Sequence, residues 1–292
     1  MTIKTILVAA SGGAANNGAV ELAGRLARRF EAHLEGFHVR ADPLAVVAVA
    51  ADGFGTPLAG EWINQITDEA ADLAKKTKAA FDAAAARHRL SLATAPPETS
   101  ASAAWREETG YAPALVSRRA RFFDLVVLGR SDRVMEQPHT DTIEETLLHA
   151  GRPVLLAPAQ VPELLGEAIA VGWNGSAQAV RALVASLPFL SAARAVSIIA
   201  IGGKENEKER ETAAAVSAVD YLAWHGIVAK HRSVEPLAGV GPGEQLLATA
   251  RDEGADLLVM GGYGHSPWRE FLFGGATREI VGASMLPLLL SH

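Results

Sequence analysis

The sequence predicts an α/β protein built from two tandem, doubly wound parallel five-stranded sheets, each with helices on both faces. Three observations predict it. Short continuous apolar runs alternate with longer segments of helical periodicity, the pattern of β-α-β units whose parallel strands are buried on both faces. The same phrases recur in the same order, so one folding unit is written out twice. The chain has 292 residues, and at about 150 residues per domain that length leaves room for two.

Taken in order, the first strand is expected near 3–10. Its apolar run, Ile6-Leu7-Val8-Ala9-Ala10, follows a single lysine and stops at Gly12-Gly13, which is too short for a secretory signal and suits a buried strand. The second strand, near 33–40, carries His33 and His38. They are five apart, hence on opposite faces, and are read as structural. The apolar stretch 41–60 has no counterpart in the second half, and it is expected to cover a groove between the halves or to meet a partner chain. A helix over 61–88 shows Trp62, Ile66, Leu73 and Phe81 at helical spacing, read as a core-facing stripe. Strands near 90–95, 124–129 and 153–157 complete the first half.

Pro158 to Glu167, with two prolines and little periodicity, is the natural linker, giving domains at 1–160 and 164–292. Strands are then expected near 168–173, 196–202, 227–233, 256–261 and 287–291. Ile6 to Gly13 resembles Ile169 to Ser176, Asp124-Leu125-Val126-Val127-Leu128-Gly129 resembles Asp256-Leu257-Leu258-Val259-Met260-Gly261, and Arg152 to Leu156 resembles Leu286 to Leu290. The second copy is about thirty residues shorter between its first and fourth strands.

Composition excludes several function classes. With no cysteine, there is no disulfide, thiolate-held zinc, iron-sulfur cluster or thiol nucleophile. A net charge of -6 gives no global attraction to nucleic acid or to an anionic membrane. No stretch approaches the roughly 18 consecutive apolar residues that cross a bilayer, so the expected location is the cytoplasm. The nine histidines show no His-Glu-x-x-His or clustered metal-ligand pattern, and no Gly-x-Ser-x-Gly elbow provides a nucleophile.

In a doubly wound sheet the ligand crevice lies outside the carboxyl ends of the strands, where strand order switches. That points to the segments after the first and fourth strands. In the second half the fourth strand runs into Gly261-Gly262-Tyr263-Gly264-His265-Ser266-Pro267-Trp268-Arg269-Glu270-Phe271-Leu272-Phe273-Gly274-Gly275-Ala276-Thr277. Glycines let successive backbone N–H groups approach an anion, and a following helix start adds donors and a favourable dipole, so the loop can cradle phosphate without a lysine. It is not a Walker A loop, and Gly239-Val240-Gly241-Pro242-Gly243 lacks the dinucleotide spacing and reads as a turn. The other reading of Gly261 to Thr277 is a plain glycine-rich strand-to-helix turn.

On these residues the chain resembles the universal stress protein family in a tandem two-domain form, whose fold is of the adenine nucleotide alpha-hydrolase type. The nucleotide-binding branch of that family carries Gly, two residues, Gly, nine residues, then Gly-Ser/Thr after the fourth strand. Gly261, Gly264 and Gly274 match, while Gly275 stands where the family has a hydroxyl residue. Asn174-Gly175-Ser176 resembles the family's Asp-Gly-Ser after the first strand, with asparagine replacing the acid that reads adenosine. The lost hydroxyl removes about 1.5 to 3 kcal/mol of hydrogen bonding to a charged group. Asn174 keeps an acceptor without the charge assistance.

The resemblance implies ATP with a divalent ion, Mg, as the bound species. Asn174, Gly261, Gly264, His265, Ser266, Gly274, Gly275 and Thr277 are the candidate contacts. Trp173 and Trp268 flank the crevice and are read equally as core packing or as a face for the base. In the first half Asp132 aligns with Gly264 and Thr140-Asp141 with Gly274-Gly275, putting carboxylates where phosphate would sit. Thr140 to Glu145 therefore reads as a helix N-cap with a capping box, and Ser11 replaces the adenosine-reading acid, so nucleotide binding is expected in the second half only.

Three functions stay open: an adenine-nucleotide-binding stress-response protein with at most weak hydrolysis, an interaction module acting through pairing surfaces, and an ATP-activating enzyme, for which no acid, base or lysine is identifiable at the crevice. The resemblance also implies pairing through the last strand of each half, Pro153–Ala157 with Pro287–Ser291, an intramolecular pseudo-dimer; further association into a homodimer is left open.

Overall fold

The computed structural model describes residues 2–43, 59–95, 101–130, 137–202, 216–262 and 286–292. Residues 44–58, the side chain of Trp62 and residues 263–285 lie outside the described set, and with them the expectation for the apolar stretch after the second strand.

In the first half the elements are β1 (Thr5–Ala9), α1 (Gly13–Phe30), β2 (His33–Arg40), α2 (Ala59–Arg87), β3 (Ser91–Leu92), β4 (Ser102–Thr109), α3 (Ala112–Ala120), β5 (Leu125–Gly129), α4 (Gln137–His149) and β6 (Val154–Ala157). In the second half they are β7 (Ala168–Gly172), α5 (Ala177–Leu190), β8 (Ala195–Ile201), α6 (helical over 216–224), β9 (Lys230–Val234), α7 (Pro242–Asp252), β10 (Leu257–Gly261) and β11 (Leu288–Ser291).

All strands join one sheet in the order β3-β4-β2-β1-β5-β6-β11-β10-β7-β8-β9. Every pairing is parallel except β6 with β11, which run antiparallel with Leu288 opposite Leu156 and Leu290 opposite Val154. Each half is thus a doubly wound parallel sheet, with strand order switching beside β1 and beside β7. The central strands β5, β6, β7 and β11 are buried at every residue, which explains why they read as unbroken apolar runs.

One layer, α1, α2, α5 and α6, covers a core that includes Ile6, Leu26, Phe81, Phe189 and Leu289. The other, α3, α4 and α7, covers Leu7, Phe37, Leu128, Leu246 and Leu288. Both cores run through β6 and β11, so the halves share them.

The repeated phrases now have physical reasons. Asp124 Oδ2 accepts the N–H groups of Lys4 and Thr5 at 2.8 and 3.0 Å, and Asp256 accepts those of Gly166 and Glu167 at 2.7 and 2.9 Å. The aspartate that opens each fourth strand therefore fastens the start of the first. The segment joining the halves is also held: Arg25 donates to the carbonyls of Pro162 and Glu163, and Arg29 to that of Leu165, at 2.7 to 3.0 Å.

Three expectations are corrected. The strand beside β2 is β4, not 90–95, of which only Ser91–Leu92 remains as an edge strand. β4 does not read as an apolar run because its outer half, Trp105 to Thr109, carries Arg106, Glu107 and Glu108 and is only partly buried. α4 is already helical at Gln137, the first described residue after 130. Thr140 to Glu145 accordingly sit inside the helix, and the capping box there is wrong. On α2 the core face is Ala74, Thr77, Phe81 and Ala84, while Leu73 is 42% exposed and lies over the β1–α1 turn, where a Cβ on Gly12 would meet its Cδ1 at 2.5 Å.

The two strand histidines are both held within the protein. His38 Nδ1 donates to the Ala10 carbonyl at 2.6 Å, and its ring stacks on Trp105. His33 Nδ1 lies 2.9 Å from Ser102 Oγ. Burial pushes the His33 imidazole below its ordinary value, against the attraction of Glu35 and with the help of nearby Arg119. A histidine whose folded pKa is lowered lets the unfolded chain take up the proton first. Stability should therefore fall as pH drops through the ordinary histidine range near 6.5. Urea melts of wild type and His33→Gln at pH 7.5 and 5.5 check this: the acid-induced loss should be smaller in the variant, and equal losses would count against it.

Candidate functional site

The cleft of the second half lies at the carboxyl ends of β7 and β10, next to the start of α5. The described residues that line it are Gly172, Asn174, Leu246, Met260 and Gly261, around about 190 Å3 of empty space including its mouth. Its floor is set by register, since Gly172 lies opposite Ile199 on one side and Met260 on the other. A Cβ on Gly172 would come within 2.7 Å of Leu246 Cδ2. Sequence reasoning missed Gly172, Leu246 and Met260. The signals were that Gly172 lies within the repeated first-strand phrase and Met260 within the repeated fourth-strand phrase.

Gly261 is needed for packing. A Cβ there would sit 2.6 Å from Ala179 N and 2.7 Å from Gln178 C, in the first turn of α5. The end of β10 thus abuts the amino end of α5, which only a residue without a side chain allows. Gly262 packs equally closely on the first half, where its Cβ would meet Leu147 Cδ2 of α4 at 2.8 Å, and its carbonyl lies 3.1 Å from His292 Nδ1.

Asn174-Gly175-Ser176 builds the start of α5. Asn174 Oδ1 accepts the Ser176 N–H at 3.1 Å, Gly175 takes φ of 70°, and Ser176 Oγ accepts the Ala179 N–H at 3.1 Å as the N-cap. A helix leaves its first four N–H groups without partners inside the helix. Ser176 satisfies one, and the amides of Ala177 and Gln178 head the helix beside the cleft. Asn174 lines the cleft with one of its lone pairs already engaged in this turn.

Of the sequence-predicted contacts, the structure brings together Asn174 and Gly261. Gly264, His265, Ser266, Gly274, Gly275 and Thr277, and the flanking Trp268, lie outside the described residues. Trp173 is 7% exposed and packs in the α1-side core, with its Nε1 buried and lacking a hydrogen-bond partner among the described residues.

The equivalent crevice of the first half is larger, about 410 Å3 including its mouth, and mostly apolar. Elsewhere, no three His, Asp or Glu side chains among the described residues are grouped to hold a metal ion. No helix among them is long and apolar enough to cross a membrane.

Residues 167–292 match the model of the universal stress protein family. A universal stress protein of Synechocystis sp. is 26% identical over 170 residues, 57% of each chain, so the match spans little more than half the length of that relative. Among solved structures, a universal stress protein from Archaeoglobus fulgidus aligns over 98% of this chain and 97% of its own with a TM-score of 0.66 at 13% identity. A protein of unknown function from Pseudomonas aeruginosa aligns over 99% and 92% with a TM-score of 0.53 at 14% identity. These likenesses, spanning both halves, are likenesses of fold.

Proposed function

We infer, from the match of residues 167–292 to the model of the universal stress protein family, that the chain is an adenine-nucleotide-binding stress-response protein of two tandem domains, 1–160 and 164–292, with one site in the second. The observation that carries this reading is the cleft at the strand-order switch of the second half, where Gly261 brings the end of β10 against the amino end of α5 and Gly172 brings the end of β7 against Leu246 of α7.

The cleft fits such a ligand chemically. Phosphate would be held by backbone N–H groups, from the head of α5 and from Gly264, Ser266, Gly274, Gly275 and Thr277 of the glycine loop, with His265 and Ser266 offering side-chain donors. Asn174 would face the adenosine part through its remaining amide capacity. No carboxylate stands among the described lining residues, so a Mg ion accompanying ATP would be bound chiefly through phosphate oxygens and water. The nucleotide supplies the charge that the loop recognises. Among the described lining residues none is a base that could activate water, and the role proposed is binding rather than turnover.

Mass spectrometry of small molecules released on denaturing the purified protein tests the reading. An adenine nucleotide in amounts comparable to the protein is the expected result. If the protein neither carries a nucleotide nor takes one up from solution, an interaction module acting through its surfaces becomes the better account.

A further inference from the structure

The net charge of -6 conceals a separation of charge in the first half. In a β-α-β unit each helix ends where the next strand begins, so the carboxyl ends of the helices and the amino ends of the strands share one face. Here that face is basic. The last turn of α1 carries Arg28 and Arg29, that of α2 Arg87, and that of α3 Arg118 and Arg119. The loops that feed the strands add a second set: Lys4 enters β1, Arg89 precedes β3, Arg121 precedes β5 and Arg152 precedes β6.

Backbone hydrogen bonds from Ser91 to Ala101, Ser102 to Ala32, His33 to Lys4, Asp124 to Thr5 and Val126 to Pro153 lay these strand starts side by side. At about 4.8 Å per strand the row from β3 to β6 is about 24 Å long, with helix ends on both sides of it. Arg152 Nε donates to the Arg121 carbonyl at 3.0 Å, so these two cations adjoin. The nearby carboxylates are largely engaged: Asp124 accepts three hydrogen bonds from Lys4 and Thr5, Glu21 is held by Arg87 and His88, and Glu35 by Arg119. Lys4, Arg28, Arg89 and Arg121 are exposed and enter no ion pair among the described residues, and the exposed Glu31 stands against them.

Compensation of helix dipoles does not account for this set. The second half is the internal control. α5, the counterpart of α1, has no basic residue in its last turn. α7, the counterpart of α3, closes on Arg251, Asp252 and Glu253, where α3 runs into Arg118-Arg119-Ala120-Arg121.

Two large apolar side chains accompany the cations: Phe122, 73% exposed beside Arg121, and Leu92, 79% exposed on β3 at the far end of the row. Single-stranded nucleic acid is held in a groove with a series of aromatic platforms. These cations instead come from the sheet edge and from both helix layers, so they spread in two dimensions. A layer of anionic headgroups matches that spread, since each Lys or Arg adds attraction and a Phe or Leu enters between the headgroups.

We propose that the amino-end face of the first half docks reversibly on an anionic lipid surface. Docking there is separate from the nucleotide cleft and needs no nucleotide.

The test titrates the full chain with vesicles of phosphatidylcholine alone and of phosphatidylcholine mixed with phosphatidylglycerol, at low and high salt, with cosedimentation as the readout. The mixed vesicles should bind at least about tenfold more tightly, and salt should weaken that binding. Lys4→Gln combined with Arg121→Gln should weaken it by about tenfold or more, and Phe122→Ser should weaken it at both salt concentrations. Lys75→Gln combined with Lys76→Gln removes the same charge from the middle of α2 and should change binding by less than about twofold. The altered residues are all exposed, and circular dichroism establishes that each variant is folded. No preference for the mixed vesicles, or equal losses in the two double variants, would overturn the proposal. Tighter binding to polyuridylic acid than to mixed vesicles at equal phosphate would assign the face to nucleic acid and overturn it as well.

Discussion

Arg119→Met is expected to lower the free energy of unfolding by about 3 kcal/mol or more, the cost of leaving a buried carboxylate without its partner. Glu35 lies on β2 and is 6% exposed. Arg119 on α3 grips it with both ends of the guanidinium, Nε to Oε1 at 2.7 Å and an NH2 contact to Oε2 at 2.5 Å, and stands over the ring of Phe123. The hydrogen bond to Glu35 holds the Arg119 guanidinium above its already high ordinary value. The pair ties α3, one wall of the first-half crevice, to the sheet. Removing both charges together, as Glu35→Met with Arg119→Met, should restore much of the loss, since a hydrophobic pair of similar volume is often neutral there. Urea denaturation of the two singles and the double measures this. A single-variant loss below about 1 kcal/mol would place the pair with ordinary surface ion pairs and contradict the account.

The second large effect is at the end of β10. Gly261→Ala puts a methyl group against the backbone of Ala179 and Gln178, with no flexible side chain to give way. A cost of about 1 to 3 kcal/mol is expected from overpacking. Gly241→Ala is the control: a Cβ there meets nothing within 4 Å, φ is -66°, and the loss should stay below about 1 kcal/mol, the ordinary cost of alanine at an N-cap. Equal melting temperatures for Gly261→Ala and wild type would show that β10 and α5 do not meet as closely as described. On the functional reading, Gly261→Ala also displaces the head of α5 from the cleft and should weaken nucleotide binding in protein that remains folded.

The central strands were legible in the sequence because burial on both faces leaves no polar residue in them: β5 and β10 lie within a residue of their expected places. Edges were less legible. β4 mixes a buried start with Arg106, Glu107 and Glu108, so its apolar content falls below what a run-based reading detects. The start of α4 was misplaced because Thr140-Asp141-Thr142 imitates a cap inside a segment that is helical from Gln137 onward.

At the candidate site, packing of β10 on α5 supplies a reason for Gly261 that spacing alone did not reveal. The sequence also named Asn174 but could not show that its Oδ1 is engaged in the turn before α5. The crowding of Leu246 against Gly172, which narrows the second-half cleft, is a matter of which side chain meets which across a helix and a strand. Nothing local in the sequence encodes it.

The central claim, a single nucleotide site in the second half, is tested most directly by calorimetric titration of ATP with Mg into wild type, Gly264→Asp and Ser11→Ala. The account predicts a stoichiometry of one in wild type, loss of binding in Gly264→Asp by charge repulsion and unchanged binding in Ser11→Ala. ATP bound equally well by Gly264→Asp, or a stoichiometry of two reduced to one by Ser11→Ala, would contradict it.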